Sequence, residues 1–270
     1  MSKRIIYYYQ TFIGLKDILT PDTKVTHIHL SSIHFGLDNE NIPYIHLNDN
    51  PPHSKVFDSV WDDLESAKQL GIKVILMVGG AGGAFQDLFS NYDSYYPLLK
   101  KLILDKRTII DGIDLDIEEI VSLNNVENLI KTIKTDFGSN FIITMAPIQS
   151  SMQSDQPGMG GFVYKTLYNS LGSQIDYFNV QCYFDYSVDA YNQMIKNGYP
   201  EDKLVMGSIS SQDITQNINT IKKIVKMYPK IGGVFNWEYY DSPTLKSCED
   251  GNHGTWSKLM AEALDKANDL

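Results

Sequence analysis

Residues 111 to 119 read DGIDLDIEE, and within them Asp111, Asp114, Asp116 and Glu118 are threaded through Ile113, Leu115 and Ile117. Aliphatic residues in this pattern favour a buried strand. Alternate side chains of a strand share a face, with residues two apart separated by about 6.6 Å. Asp114, Asp116 and Glu118 therefore line one side, and the isoleucines and leucine line the other. The apolar side can pack against helices, which leaves the acids facing the interior of a closed sheet, with Glu118 nearest its open carboxyl end. Crowded carboxylates in a partly dry site cannot all ionise cheaply, so one holds its proton near neutral pH. A protonated carboxyl beside ionised partners is what a general acid needs, and glycosidic bond cleavage is the commonest chemistry that asks for one. Two rival readings weigh less. Scattered surface acids would need a face open to water, which parallel barrel strands lack. A divalent metal site would need ligands from elsewhere, because one straight strand spreads its acids over too long a row to wrap an ion.

Outward from this strand the chain alternates β-rich runs with amphipathic stretches. Strands are predicted at 4–10, 25–35, 72–78, 111–118, 141–146, 175–183, 203–209 and 231–237. Helices are predicted at 56–70, 95–108, 123–136, 161–171, 188–197, 213–228 and 255–268, with Asn124 and Asp213 as N-terminal caps. This is the pattern of an α/β protein, a single (β/α)8 TIM barrel filling residues 1–270 as one catalytic domain. The connection between the seventh and eighth strands has room for one helix only, so no large insertion domain is expected there. Residues 36–54 are polar and carry three prolines, and they read as a long loop at the active face. The run GGAGG (79–83) lacks the spacing of a nucleotide-binding fingerprint and reads as a tight turn at the barrel mouth. His27 and His29 form an H-x-H on strand two, but no later strand supplies the further histidines of a metal centre.

Composition narrows the partners. A chain of 270 residues with 43% hydrophobic content and a net charge of -10 is large enough for one barrel and repels polyphosphate, so nucleic acid is not an expected partner. No run approaches the roughly 18 apolar residues of a membrane span, and MSKRIIYYYQ has no secretory leader pattern. The expectation is a monomer away from membranes, cytoplasmic if complete and secreted if a leader was removed. Cys182 and Cys248 do not indicate a disulfide framework, and no N-x-[ST] acceptor occurs.

The acid row as a whole resembles the D-x-x-D-x-D-x-E signature that chitinases of glycoside hydrolase family 18 carry on the fourth strand of a β/α barrel. TMAP (144–147), IDYFNVQCYFDY (175–186) and GGVFNWEYYD (232–241) are similar to that family's fifth, sixth and eighth strands. The resemblance implies substrate-assisted hydrolysis of N-acetylglucosamine polymers or oligomers, without metal or cofactor, in which the sugar's 2-acetamido oxygen attacks its own anomeric carbon. Glu118 would be general acid and then base, Asp116 would hold the acetamido N–H, and Asp114 would share a proton with Asp116. Tyr183 would hydrogen-bond the acetamido oxygen. Trp237 would form the apolar floor, with Gln181, Tyr8, Phe35, Gly80 and Met145 also contacting sugar, while Asp111 would have a structural role. Cis peptides are expected at His34–Phe35 and Trp237–Glu238. Two departures stand out: Met77 and Val78 precede Gly79–Gly80 where the family has a serine, and Phe184 follows Tyr183 where many members have Asp or Asn. A sugar-binding protein without turnover and an endo-β-N-acetylglucosaminidase acting on N-glycan cores are the alternatives that the resemblance leaves open.

Overall fold

The computed structural model describes residues 3–244 and 251–265. Eight strands pair in parallel around a closed ring: β1 (Arg4–Tyr9), β2 (His27–Leu37), β4 (Lys73–Gly79), β5 (Ile110–Asp116), β6 (Ile142–Met145), β7 (Tyr177–Gln181), β8 (Leu204–Ile209) and β9 (Gly233–Trp237). Closure comes from β1, which pairs with β2 on one side and β9 on the other. The remaining strand, β3 (Pro43–Leu47), is antiparallel and hangs on the far end of β2. Helices follow the strands: α1 (Asp58–Gln69), α2 (Ala84–Ser90), α3 (Tyr92–Asp105), α4 (Leu123–Phe137), α5 (Gln149–Gln153), α6 (Tyr164–Leu171), α7 (Val188–Lys196), α8 (Ile214–Met227) and α9 (Thr255–Asp265). Only α8 lies between β8 and β9, as the length of that connection predicts.

Two apolar layers explain why the sequence closes this way. Ile113, Leu115, Ile143, Phe178, Val180 and Met206 belong to the layer between the strands and the helices, where Leu64, Leu99, Leu129 and Ile221 meet them. Inside the ring sits a smaller cluster of Ile6, Tyr8, Met77, Tyr177, Val205 and Phe235. Large and small residues interlock there: Phe235 registers with Gly207, and a Cβ on Gly207 would lie 1.9 Å from the ring's Cζ. The closing strand β1 is also fixed from outside. Tyr7 of β1 donates from its hydroxyl to the carbonyl of His253 at 2.5 Å, just before α9.

Several local expectations change. Residues 36–54 are not an open loop: β2 continues to Leu37 and turns back as β3, with Asp38 Oδ1 accepting from the backbone N–H groups of Glu40 and Ile42 at 2.8 Å each. Such a side-chain turn reverses the chain within a few residues. Asn124 is not a cap, because α4 begins at Leu123 after Ser122, whereas Asp213 caps α8 by accepting from Thr215 N at 2.8 Å and Gln216 N at 3.4 Å. The short helices α2 and α5 are additions to the predicted set. The last residues of the helix predicted at 255–268, and Cys248, lie outside the described residues; Cys182 is a buried free thiol. No helix among the described residues is long and apolar enough to cross a membrane.

The interlock at Gly207 is testable. Gly207→Ala places a methyl group against a ring held by its neighbours, and overpacking of this kind costs about 1–3 kcal/mol. Urea unfolding checks it as a lowered midpoint; an unchanged midpoint contradicts this packing.

Candidate active site

The acid row begins as predicted. Asp114 and Asp116 are buried on the inward side of β5, and Glu118 stands half-buried in the loop that follows, because the ladder ends at Asp116. Asp111, out of phase with them, faces away from the interior. It accepts from Lys68 Nζ at 2.5 and 2.6 Å and from Val74 N at 2.9 Å, which ties the start of β5 to α1 and β4.

Asp114 has no exposure and is surrounded by donors. The Tyr8 hydroxyl donates to Oδ2 at 2.7 Å, the Thr144 hydroxyl to Oδ1 at 2.5 Å and Asn179 Nδ2 to Oδ1 at 3.4 Å. His29 Nδ1 lies 3.2 Å from Oδ2 at ion-pair distance, though off the straight line of a hydrogen bond. Burial alone pushes the carboxyl of Asp114 upward, but His29 and the Thr144 and Tyr8 hydroxyls outweigh it and hold the group below the usual carboxylate range. The next acid behaves oppositely. Burial, then the charges of Glu118 and Asp114, push Asp116 well above that range. Glu118 is also raised, chiefly by burial, with a hydrogen bond from Gln181 pulling the other way and the charge of Glu119 adding to the rise. The row is thus graded, its bottom carboxyl held toward ionisation and the two above it toward protonation, which is the division of labour that acid catalysis needs.

Neighbouring strands hold the acids in place. Gln181, at the end of β7, donates from Nε2 to Ala146 O at 2.8 Å, Asp116 Oδ1 at 3.2 Å and Glu118 Oε1 at 3.4 Å. The glycine turn after β4 hugs the end of β5: Gly80 N donates to Asp116 O at 2.9 Å, and a Cβ on Gly79, which has φ +97°, would lie 2.2 Å from that same oxygen. Glu119 points the other way, accepting from the backbone of Phe85 and Gln86 at the start of α2.

Above the acids opens a cleft of about 330 Å³, with Gly80, Gln181, Tyr183 and Trp237 in its wall. The phenol of Tyr183 is pushed well above its ordinary pKa by burial and by the charges of Asp116 and Glu118, so it remains a hydrogen-bond donor. Trp237 stands at the end of β9 with its ring 5.3 Å from that of Tyr8, and the Trp237–Glu238 peptide is cis as expected. Glu238 then staples two strand ends together, accepting from Gln10 N and Thr11 N at 2.9 Å each and from the Thr11 hydroxyl at 2.6 Å. A second recess of about 680 Å³ shares Gln10, Ser32 and His34 with the cleft and continues over the β2–β3 hairpin past His46, Asn48 and Asp49. Just past the ends of β7, β5 and β9, Phe184 is fully exposed, Ile120 largely so and Tyr240 about half.

Three expected sugar contacts do not line the cleft over the acids. Phe35 packs against Tyr95 of α3 with ring centroids 5.3 Å apart and lines only the second recess, whereas Ser32 and His34 reach both it and the cleft over the acids. The cause is a bulge: the register of β2 against β4 slips between Leu30 and Ile33, where the Ser31–Ser32 peptide is cis, so inward positions change from odd to even numbers. The cis bond expected at His34–Phe35 is thus found three residues earlier. Met145 belongs to the outer apolar layer, while Thr144 beside it faces Asp114. Tyr8 lies beneath the cleft floor, bound to Asp114, and does not line the cleft. Site residues not expected from the sequence are Thr144 and Asn179 around Asp114, Gln10, Ser32 and His34 in the cleft, and His29, which the sequence offers only as part of a metal motif. The alternation of the H-x-H on β2 was the one signal that could have put His29 inside.

Comparison with known proteins agrees with this geometry. Residues 4–258 match the model of the family described as glycosyl hydrolases family 18. Among solved structures, a fungal endo-β-N-acetylglucosaminidase of that family is 28% identical, with a TM-score of 0.84 over 97% of this chain and 98% of its own. Chitinase ChiC from Aspergillus fumigatus is also 28% identical, with a TM-score of 0.82 over 88% of this chain and 92% of its own. Chitinase D of Niallia circulans is 26% identical over 152 residues, covering 49% of this chain and 29% of that protein, and Chitinase C of Streptomyces lividans is 29% identical over 146 residues, covering 49% and 22%. The chain spans less than a third of the length of these curated relatives. With the signature acids on and just past its fourth barrel strand and a family match across nearly its whole length, the chain belongs to glycosyl hydrolase family 18.

Proposed function

We propose that this protein is a retaining glycosidase that cleaves the β-1,4 link between two N-acetylglucosamine units by substrate-assisted catalysis. The observation that carries the reading is the acid row itself, with Asp116 and Glu118 in one cleft wall with Tyr183 and Trp237 and with Asp114 held toward ionisation and the other two toward protonation. Glu118 gives its proton to the glycosidic oxygen as the acetamido carbonyl oxygen attacks the anomeric carbon from the opposite face. The leaving sugar departs and an oxazolinium ion remains. Asp116 holds the acetamido N–H and stabilises the positive charge on that group, and the Tyr183 hydroxyl donates to the acetamido oxygen to fix its angle. Glu118, now a carboxylate, takes a proton from water, which opens the ring on the face that the leaving group vacated. The indole of Trp237 supplies an apolar floor for the C–H face of the sugar. Because the nucleophile belongs to the substrate, the separation of the two carboxyls does not set the stereochemical outcome.

Chitin oligomers and the chitobiose core of N-glycans both contain this bond. The two-part cleft, unwalled between β8 and β9, suits cleavage within a chain, and the family likeness to chitinases and to an endo-β-N-acetylglucosaminidase supports the shared bond. Product analysis on chitooligosaccharides, a glycoprotein carrying N-glycans and peptidoglycan assigns the flanking chemistry.

Glu118→Gln removes the transferable proton, and general acid catalysis contributes about 10²–10⁴-fold. The variant is expected to lose that much kcat on chitooligosaccharides or glycan cores while still binding them; full activity refutes the assignment. Trp237→Ala removes the floor and is expected to lower kcat/KM about tenfold, measured on the same substrates.

The rate should also depend on pH in a bell. Activity needs Asp114 ionised, which is lost as pH falls through a pKa below the usual carboxylate range, and Glu118 protonated, which is lost as pH rises through one above it. A kcat/KM profile is therefore expected to hold a broad acidic plateau; an activity that rises steadily into the alkaline range contradicts it.

A further inference from the structure

The H-x-H of β2 is the one sequence motif that the chemistry above leaves unused. His27 is accounted for at the bottom of the ring, where its Nδ1 lies 2.8 Å from the Thr26 hydroxyl and its ring meets Tyr177 edge-on at 5.6 Å. His29 is different. It sits in the centre of the barrel with no exposed surface, its Nδ1 3.2 Å from Asp114 Oδ2 and its Nε2 3.3 Å from the Tyr177 hydroxyl.

The surroundings say what this ring does there. The strand between β2 and β5 puts Met77 in register with Asp114, and a thioether has no proton to give a carboxylate. The hydroxyls and amide that reach Asp114 are neutral. A carboxylate fully out of water needs an opposite charge or must take up a proton. The groups facing His29 are Tyr8 on β1 with its ring 4.7 Å away, Asp114 on β5 and Tyr177 on β7, and on its own strand His27 lies two residues back. Arg4 is turned away from Asp114 and lies over the Tyr177 ring at 4.2 Å. Of these, His29 is the one group within reach of Asp114 that could carry a positive charge, and its other nitrogen lies beside a phenol that can accept.

We propose that His29 is a positioning residue for the reaction: paired as an imidazolium with Asp114, it keeps that carboxylate ionised and thereby leaves the proton of the acid pair on Asp116, where the acetamido group is met. The inference rests on the proposed glycosidase reading for its effect on rate. It goes beyond that reading in assigning the charge that sets the pair to a residue outside the signature acids. A ring that only filled space would make the same packing contacts without steering the proton. The lowered pKa direction of Asp114 is consistent with the pairing.

The test is His29→Gln, which keeps a polar side chain and removes the charge, with His29→Phe as the space-filling comparison. Both are expected to lower kcat about tenfold with KM nearly unchanged, and to move the acid limb of the pH–rate profile up by about one pH unit, because Asp114 then competes for the proton. A folded variant whose acid limb stays where the wild type has it overturns the proposal. Should either variant fail to fold, nitrogen NMR of the wild-type histidine side chains decides: protons on both ring nitrogens of His29 at neutral pH are expected, and a neutral ring overturns the pairing. If the wild type turns over none of the acetamido-sugar substrates, the glycosidase reading fails, and the NMR result still decides the pairing.

Discussion

The carboxyl of Asp114, placed where no water reaches and held toward its charged form, organises the catalytic end of this barrel. A lone buried carboxylate would protonate or force the chain open. Here it is held by groups from four other strands: Tyr8 of β1, His29 of β2, Thr144 of β6 and Asn179 of β7. The same contacts that satisfy the charge therefore tie the strands to one another. Burial, Glu118 and a charge held on Asp114 two residues along the same face all make ionising Asp116 costly, and the acid row acquires its gradient without any further device.

Closed architecture makes this affordable in a way an open sheet would not. Each barrel strand turns alternate residues into an interior already filled by Tyr8, Met77, Tyr177 and Phe235, so the acids meet rings and amides before they meet solvent. Strand ends then shape the cleft from backbone as much as from side chains. The glycine turn at Gly79 and Gly80 presses against Asp116, and Glu238 draws the loop after Tyr9 toward Trp237.

Much of this was legible in the residues because the period of a strand is two and the period of a helix is close to four. Alternation alone placed Asp114, Asp116 and Glu118 on one face, set Asp111 apart, and located all eight barrel strands to within a few residues. What it could not carry is any event that breaks the period. The bulge at Ser31–Ser32 adds one residue to β2 and puts His34, not Phe35, in the wall over the acids, leaving Phe35 to the outer recess. Met145 was assigned by likeness rather than by register, and the register with β5 gives the interior to Thr144. Tyr8 likewise rests on likeness, since the run of three tyrosines does not say which one turns inward, and depth along the strand decides whether such a ring meets a sugar or supports an acid. The helices α2 and α5 are too short to show an apolar stripe, and the Asp38 turn hid a hairpin inside a polar run.

The central claim is that, in the resting protein, the lower acid is charged and the middle acid carries the proton. Carbon NMR of protein labelled at the aspartate side-chain carboxyl reads this directly at neutral pH, with Asp114→Asn and Asp116→Asn used to assign the signals. A protonated carboxyl that vanishes with Asp116, beside an ionised one that vanishes with Asp114, is the expected result. Finding the proton on Asp114, or both carboxyls ionised, would contradict the account.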